Sequence, residues 1–244
     1  MSTSVEYKPE WIREDFIDFI AEKINPVWAL KKVKACVVEI QALSPDFYKI
    51  HLRPNQNFQA QRFQAGQSIL VTLAMNGVRQ QRSYSIVTLL DNGDVILAIK
   101  RQGKMSNALT QLPAGAVVEL SQPQGNFVLP APVPSLCFIA SGSGITAIYS
   151  LLQKAVVSST QPIDLLYFTR DDAFHAEIKT LALMYPYFKY HHFNTVEQHQ
   201  HQHLSLSLLQ NTVEQLGERH IYACGSASMM QAAQQICQQL DLSE

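Results

Sequence analysis

Residues 136–157 read LCFIASGSGITAIYSLLQKAVV, and the order of features within this stretch decides the fold. Leu136–Ala140 is an unbroken apolar run of strand length, as a strand buried on both faces requires. Thr146–Val157 carries its apolar residues at helical spacing. Between them lies a glycine-rich turn, Ser141-Gly142-Ser143-Gly144-Ile145. Such a turn lets the backbone approach a pyrophosphate, while the helix start offers free amide donors and the positive end of its dipole. The pattern G-x-G-x-x-G is incomplete, because Ala147 stands at the third glycine, so the turn serves equally as a plain strand–helix connection. The G-x-S-x-G spacing that a nucleophilic Ser143 would need is absent.

Downstream, the same alternation continues. Ile163–Phe168 reads as a strand, Ala173–Met184 as a helix, Phe188–Phe193 and His220–Ala223 as strands, and Ser228–Leu240 as a closing helix. Alternation of this kind predicts a Rossmann-like parallel sheet with helices on both faces and ligands at the carboxyl ends of its strands.

Upstream of Pro130-Ala131-Pro132-Val133-Pro134 the pattern differs. Val33–Ile40, Phe47–Leu52, Ser68–Ala74, Tyr84–Leu89, Val95–Ile99 and Val117–Leu120 are short β-rich runs, separated by turn residues such as Asn76-Gly77 and Asp91-Asn92-Gly93. Six such runs suggest an antiparallel β-barrel or sandwich, the six-stranded barrel being the expectation carried forward, interrupted by one short helix around Met105–Leu112. Ahead of them, Glu10–Ile24 places Trp11, Ile12, Phe16, Phe19 and Ile20 on one helical face, and Asn25-Pro26 ends the helix. The expected organisation is a helical lead-in over 1–32, a barrel domain over 33–130 and an α/β domain over 135–244.

Composition narrows the function. Of the 244 residues 47% are hydrophobic and 16% charged, with a net charge of -1, which suits a globular protein and disfavours nucleic acid as a partner. No stretch has the roughly 18 consecutive apolar residues of a membrane span, and Met1–Pro9 has no signal-peptide core, so the expected location is the cytoplasm. Cys36, Cys137, Cys224 and Cys237 lack C-x-x-C spacing, which argues against zinc, a disulfide framework or an iron–sulfur ligand set. Any redox chemistry therefore comes from a bound cofactor.

Two segments of the front half add chemistry. In Arg82-Ser83-Tyr84-Ser85, strand geometry points Arg82 and Tyr84 the same way, so a guanidinium for phosphate and a ring for a flat heterocycle lie side by side. A sheet face with one exposed arginine is the plainer alternative. In Lys100-Arg101-Gln102-Gly103-Lys104-Met105-Ser106 a strand ends in a glycine turn and a helix begins, presenting amides to a diphosphate, although Ser106 is equally a simple helix cap.

Taken together and in this order, the motifs resemble those of the ferredoxin–NADP reductase superfamily. They are R-x-Y-S at Arg82, Tyr84 and Ser85, G-x-x-S at Gly103 and Ser106, G-x-G-x-T at Gly142, Gly144 and Thr146, and C-G at Cys224 and Gly225. The resemblance spans about Val33 to Leu240, and the lead-in with Pro26-Val27-Trp28 looks most like reductases of bacterial desaturase and oxygenase systems, here without their C-terminal [2Fe–2S] domain.

The resemblance implies an NAD(P)H-dependent flavoprotein reductase. Arg82 would bind flavin phosphate, Tyr84 would stack on the isoalloxazine, and Ser85 would hydrogen-bond near N5. Met105 and Ser106 amides would hold the diphosphate of FAD, which favours FAD over FMN, with Lys100 and Gly103 counted among the cofactor-binding residues. Gly142, Gly144 and Thr146 would hold the dinucleotide pyrophosphate. Cys224, beside Gly225, would lie near the nicotinamide, as a catalytic contact or as a buried structural cysteine. Arg170 suits a 2′-phosphate and so NADPH, whereas Asp171 and Asp172 could accept the ribose hydroxyl of NADH.

Electrons would pass to a ferredoxin-like, iron–sulfur or oxygenase/desaturase acceptor. Relatives have proline at Ala147 and Ser226, and they add a final strand after the point where this chain ends at Glu244; a separate acceptor or a shortened form would account for the last difference. A flavin reductase that releases reduced flavin and a non-catalytic nucleotide-binding module are the alternatives. The run His199-Gln200-His201-Gln202-His203 lacks fixed tetrahedral geometry and is expected to be a polar loop with no metal.

Overall fold

The computed structural model describes Asp18, Ile20, residues 23–195 and residues 203–241. The lead-in helix expected over Glu10–Ile24 falls mostly outside the described residues, and His199 and His201 fall outside them entirely.

Six strands close into a barrel: β1 (Val33–Ala42), β2 (Phe47–Pro54), β3 (Ser68–Met75), β4 (Val78–Leu89), β5 (Val95–Lys100) and β6 (Val117–Leu120), in the order β1-β2-β5-β4-β3-β6. All pairings are antiparallel. Alternate apolar side chains, among them Ala35, Val37, Ile69, Val71, Leu97 and Ile99, fill its interior. The hairpin of β3 and β4 turns at Asn76 and Gly77, both at positive φ (51° and 77°), the geometry that matches strand twist in a two-residue loop. β4 therefore starts at Val78, six residues ahead of the Tyr84 start that its apolar pattern predicts, because Val78–Ser83 is held as strand by pairing with β3 rather than by burial. The short helix, α1 (Lys104–Leu109), stops before Leu112, where the Thr110 hydroxyl donates to Ser106 O at 3.0 Å.

The second half is a four-stranded parallel sheet of β7 (Leu136–Ser141), β8 (Ile163–Thr169), β9 (Phe188–Asn194) and β10 (His220–Cys224), in the order β10-β7-β8-β9. Along β7 and β8, Leu136, Phe138, Leu165 and Tyr167 face one layer of helices, α2 (Ile145–Ser158) and α3 (His175–Met184). Cys137, Ile139, Leu166 and Phe168 face the other layer, α4 (Leu206–Thr212) and α5 (Ala227–Gln239). α4 is an element the sequence pattern did not announce; it is seven residues long and begins where the Ser205 side chain accepts from Leu208 N. On the α4 face one polar knot is buried: Asp164 Oδ2 pairs with Arg219 Nη2 at 3.2 Å and Oδ1 with His191 Nε2 at 3.0 Å. Carboxylate and guanidinium satisfy each other there, which is the condition for tolerating charge in a core.

The two halves share a core. Phe47, Val87 and Ala98 of the barrel belong to the same buried cluster as Ile145, Ile148, Leu151 and Leu152 of α2. Gly66, at φ +93°, sits where a β-carbon would lie 1.9 Å from Phe127 O, and its amide donates to Ser150 Oγ at 3.3 Å. Because the chain leaves β7 toward β8 and returns to β10 on the other side, a crevice opens beyond the carboxyl ends of β7 and β10. Among the described residues, no helix is long and apolar enough to cross a membrane.

Candidate active site

Two adjoining clefts occupy that crevice. The first, about 620 Å³, runs from the barrel to the sheet and is lined by Arg82, Tyr84, Ser85, Lys100, Gly103, Met105 and Ser106 on one side and by Gly144, Thr146, Cys224 and Gly225 on the other. The second, about 770 Å³, lies over the sheet and is lined by Gly142, Thr169, Arg170, Thr195, His203 and Ser226, among others. Lys100, Gln102, Ser143 and Gly225 line both. Every residue that the motifs single out thus falls on one of two connected surfaces, although they come from β4, β5, α1, the β7–α2 turn and the end of β10.

The barrel side is built by strand alternation and a tight turn. Tyr84 leans on the barrel core, and burial pushes its phenol above the ordinary value of 10.0 against the opposing Arg82 charge, so it stays protonated. Arg82 is exposed, with Nη1 donating to Gln81 O at 2.8 Å. At the start of α1 the Ser106 hydroxyl accepts from Gln102 N (3.0 Å) and Gly103 N (3.1 Å) and donates to Gly103 O (3.0 Å). Gly103 is thus the N-cap, with Ser106 completing a capping box from the third helical position, and a β-carbon at Gly103 would meet nothing within 4 Å, which leaves the turn open to the cleft.

On the sheet side, the two glycines of the turn have different tasks. Gly142 adopts φ +50° with open space around it, a left-handed turn on the cleft surface. Gly144 is packed: its missing side chain admits the backbone of Cys224 and Gly225. Thr146 Oγ1 donates to Ser143 O at 3.0 Å and closes the turn. Ser141 Oγ accepts from Ser226 N at 2.9 Å, so the ends of β7 and β10 are tied together under the cleft. Cys224 is half-buried and free of any disulfide, and burial raises its thiol above the ordinary 9.0, which favours the neutral form over the thiolate.

Beyond β8, Arg170 is exposed in the second cleft, and Asp171 and Asp172 are not among the residues that line it. Asp171 is engaged beside it. Its Oδ1 accepts from Ala173 N at 3.0 Å and its Oδ2 from Lys100 Nζ at 3.3 Å. Ser143, Gln80 and Gln102 are lining residues the motif reading passed over; Ser143, at the variable position between the two glycines, was the one with a local signal. Among the described residues, no cluster of three or more His, Cys, Asp or Glu could hold a metal ion.

The site suits a dinucleotide pair physically. An arginine, a protonated phenol and two glycine turns before helices line one continuous surface. Comparison with known proteins agrees with that chemistry. The family model described as "Oxidoreductase FAD-binding domain" matches residues 34–129, and "Oxidoreductase NAD-binding domain" matches 138–235. An NADPH oxidoreductase of Mycobacterium tuberculosis is 28% identical over 87% of this chain and 58% of its own. The ferredoxin reductase component of a 3-ketosteroid-9-alpha-monooxygenase from the same species is 31% identical over 62% of this chain and 44% of its own. The chain thus spans about half the length of these curated relatives. The cytochrome b5 reductase domain of Ulva prolifera nitrate reductase shares the fold with a TM-score of 0.75 at 19% identity, covering 88% of this chain and 95% of that one.

Proposed function

The chain belongs to the ferredoxin–NADP reductase superfamily of FAD- and NAD(P)-binding oxidoreductases, and on that premise we propose that it draws hydride from NADPH onto bound FAD and passes the electrons to a redox protein of iron–sulfur or oxygenase type. One observation carries the reading: Arg82, Tyr84 and Ser85 face Thr146, Cys224 and Gly225 across a single cleft. FAD, when bound, accepts a two-electron hydride and releases electrons singly; the protein supplies geometry and electrostatics.

In this assignment the Arg82 guanidinium offsets phosphate charge, and the Tyr84 ring offers a flat apolar face. The Ser85 hydroxyl donates at the reacting edge, and the turn at Gly103 brings the first amides of α1 toward the diphosphate. Gly142, Gly144 and Thr146 shape the turn that receives the second pyrophosphate. Cys224, a neutral polarizable group, packs against the nicotinamide and excludes water. Preference for NADPH is read from Arg170, whose guanidinium is exposed in the second cleft, whereas neither Asp171 nor Asp172 lines that cleft. The proposed acceptor class draws on the monooxygenase reductase component among the relatives.

An anaerobic titration of the purified protein with NADPH, followed by visible absorption, tests the reading. A yellow protein that bleaches on titration is the expected result. A protein that stays colourless and inert after FAD addition would overturn it. Comparing kcat/KM for NADPH and NADH tests the nucleotide assignment, which a clear NADH preference would defeat.

A further inference from the structure

Lys100 and Asp171 lie 71 residues apart in sequence, on the barrel and on the loop after β8, yet Lys100 Nζ and Asp171 Oδ2 meet at 3.3 Å, with the side chains 21% and 12% exposed. Asp171 is fixed independently of that contact. Its amide donates to Thr169 Oγ1, the same hydroxyl donates to Asp171 O, both at 3.1 Å, and Ala173 N donates to Oδ1. The loop is further pinned by Phe174, held at φ 67°, whose ring meets Tyr149 of α2 at 4.9 Å and Phe47 of β2 at 6.3 Å. Lys100 in turn stands 5.5 Å from the centre of the Phe47 ring. A flexible cation is thus held from two directions, by a rigid carboxylate and by an aromatic face.

We propose that Asp171 is a positioning residue: it fixes the Lys100 ammonium at the rim common to the two clefts, where that charge meets the phosphates of the incoming dinucleotide. The inference rests on the NADPH-oxidising reading above. Because Lys100 lines both clefts, its location matters to any anionic ligand that lies across them. A lysine is a point charge on a long flexible stem, so a partner that removes its rotamer freedom beforehand reduces the ordering required at binding. The carboxylate also cancels part of the lysine's charge, so what it adds to binding is the fixed position of the ammonium and not extra field, and a Kd that tightens on its neutralisation would show the cancelled charge to matter more than the position.

The test uses the flavin-loaded full chain. Asp171→Asn keeps an oxygen for Ala173 N but removes the charge that holds Lys100. We expect the Kd for NADP+, measured by calorimetry, and the KM for NADPH with ferricyanide as acceptor to rise roughly ten-fold, while kcat and flavin content hold. In a Lys100→Met background, compared at equal flavin content, the same substitution should change the Kd for NADP+ by less than about two-fold, since Asp171 then has nothing to position. A Kd that is unchanged or tighter in Asp171→Asn alone overturns the proposal, as does an undiminished effect in the Lys100→Met background. If the unsubstituted protein neither binds NADP+ nor oxidises NADPH, it is the functional reading that fails.

Discussion

A β-carbon built on Gly144 would stand 2.0 Å from the carbonyl oxygen of Cys224. The start of α2 and the end of β10 are thus in backbone contact under the cleft, and only glycine permits it. Gly144→Ala should separate these two elements, weakening NADP+ binding and lowering stability by roughly 1–3 kcal/mol, the range for overpacking a tight site. Gly142→Ala meets no neighbour and carries only left-handed strain, about 1 kcal/mol. Urea denaturation of the two variants checks the order; equal effects would mean the Cys224 contact is not what Gly144 serves.

Arg82 is exposed, and among the described residues its side chain bonds to the neighbouring carbonyl of Gln81 alone, so packing of the barrel core does not depend on that side chain. Arg82→Ala should leave thermal unfolding of the flavin-free protein unchanged while weakening FAD by about 1.5–3 kcal/mol, the worth of hydrogen bonds to a charged group. Flavin absorbance per protein after gel filtration measures it. Unchanged occupancy would move the phosphate site elsewhere.

The sequence announced the barrel and the parallel sheet because apolar alternation and glycine turns are local signals. The residues that line the two clefts were legible for the same reason: Arg82-Ser83-Tyr84-Ser85, the Gly103 turn and the Gly142–Thr146 turn each stand out within a few residues. What it hid was set by pairing at a distance. Val78–Ser83, polar and mostly exposed, is strand only because β3 lies beside it. The contact of Asp171 with Lys100, 71 residues away, has no local signature either. The seven residues of α4 are too few for a helical period to stand out.

A pH dependence of stability follows from His192, packed against His175 (ring centres 4.6 Å apart), Tyr190 and Tyr167. Burial first, then the charge of His175 and of Lys179, lowers its pKa below 6.5, while Asp172 opposes them. Its Nε2 is buried with no hydrogen-bond partner among the described residues. Below 6.5 the unfolded chain takes up a proton that the folded state resists, so this contribution to stability is complete above 6.5 and is lost as pH falls through the depressed folded value. Thermal unfolding temperatures measured down through that window should drop less steeply in His192→Phe than in the unsubstituted protein. Parallel curves would show that His192 does not titrate on unfolding.

Cys224 decides between a nucleophile and a contact. Its burial-raised thiol should resist iodoacetamide until the pH exceeds its ordinary 9.0, whereas an activated cysteine would be alkylated near neutrality. Removing a true nucleophile costs on the order of 10⁴-fold or more in turnover. Cys224→Ala removes only a polarizable group from the cleft, so we expect a loss of about ten-fold or less in kcat, with flavin retained and the profile of kcat against pH keeping its shape. A loss of the larger size, or alkylation at neutral pH that abolishes turnover, would show a thiolate at work and would require a covalent step that the proposed hydride transfer does not contain.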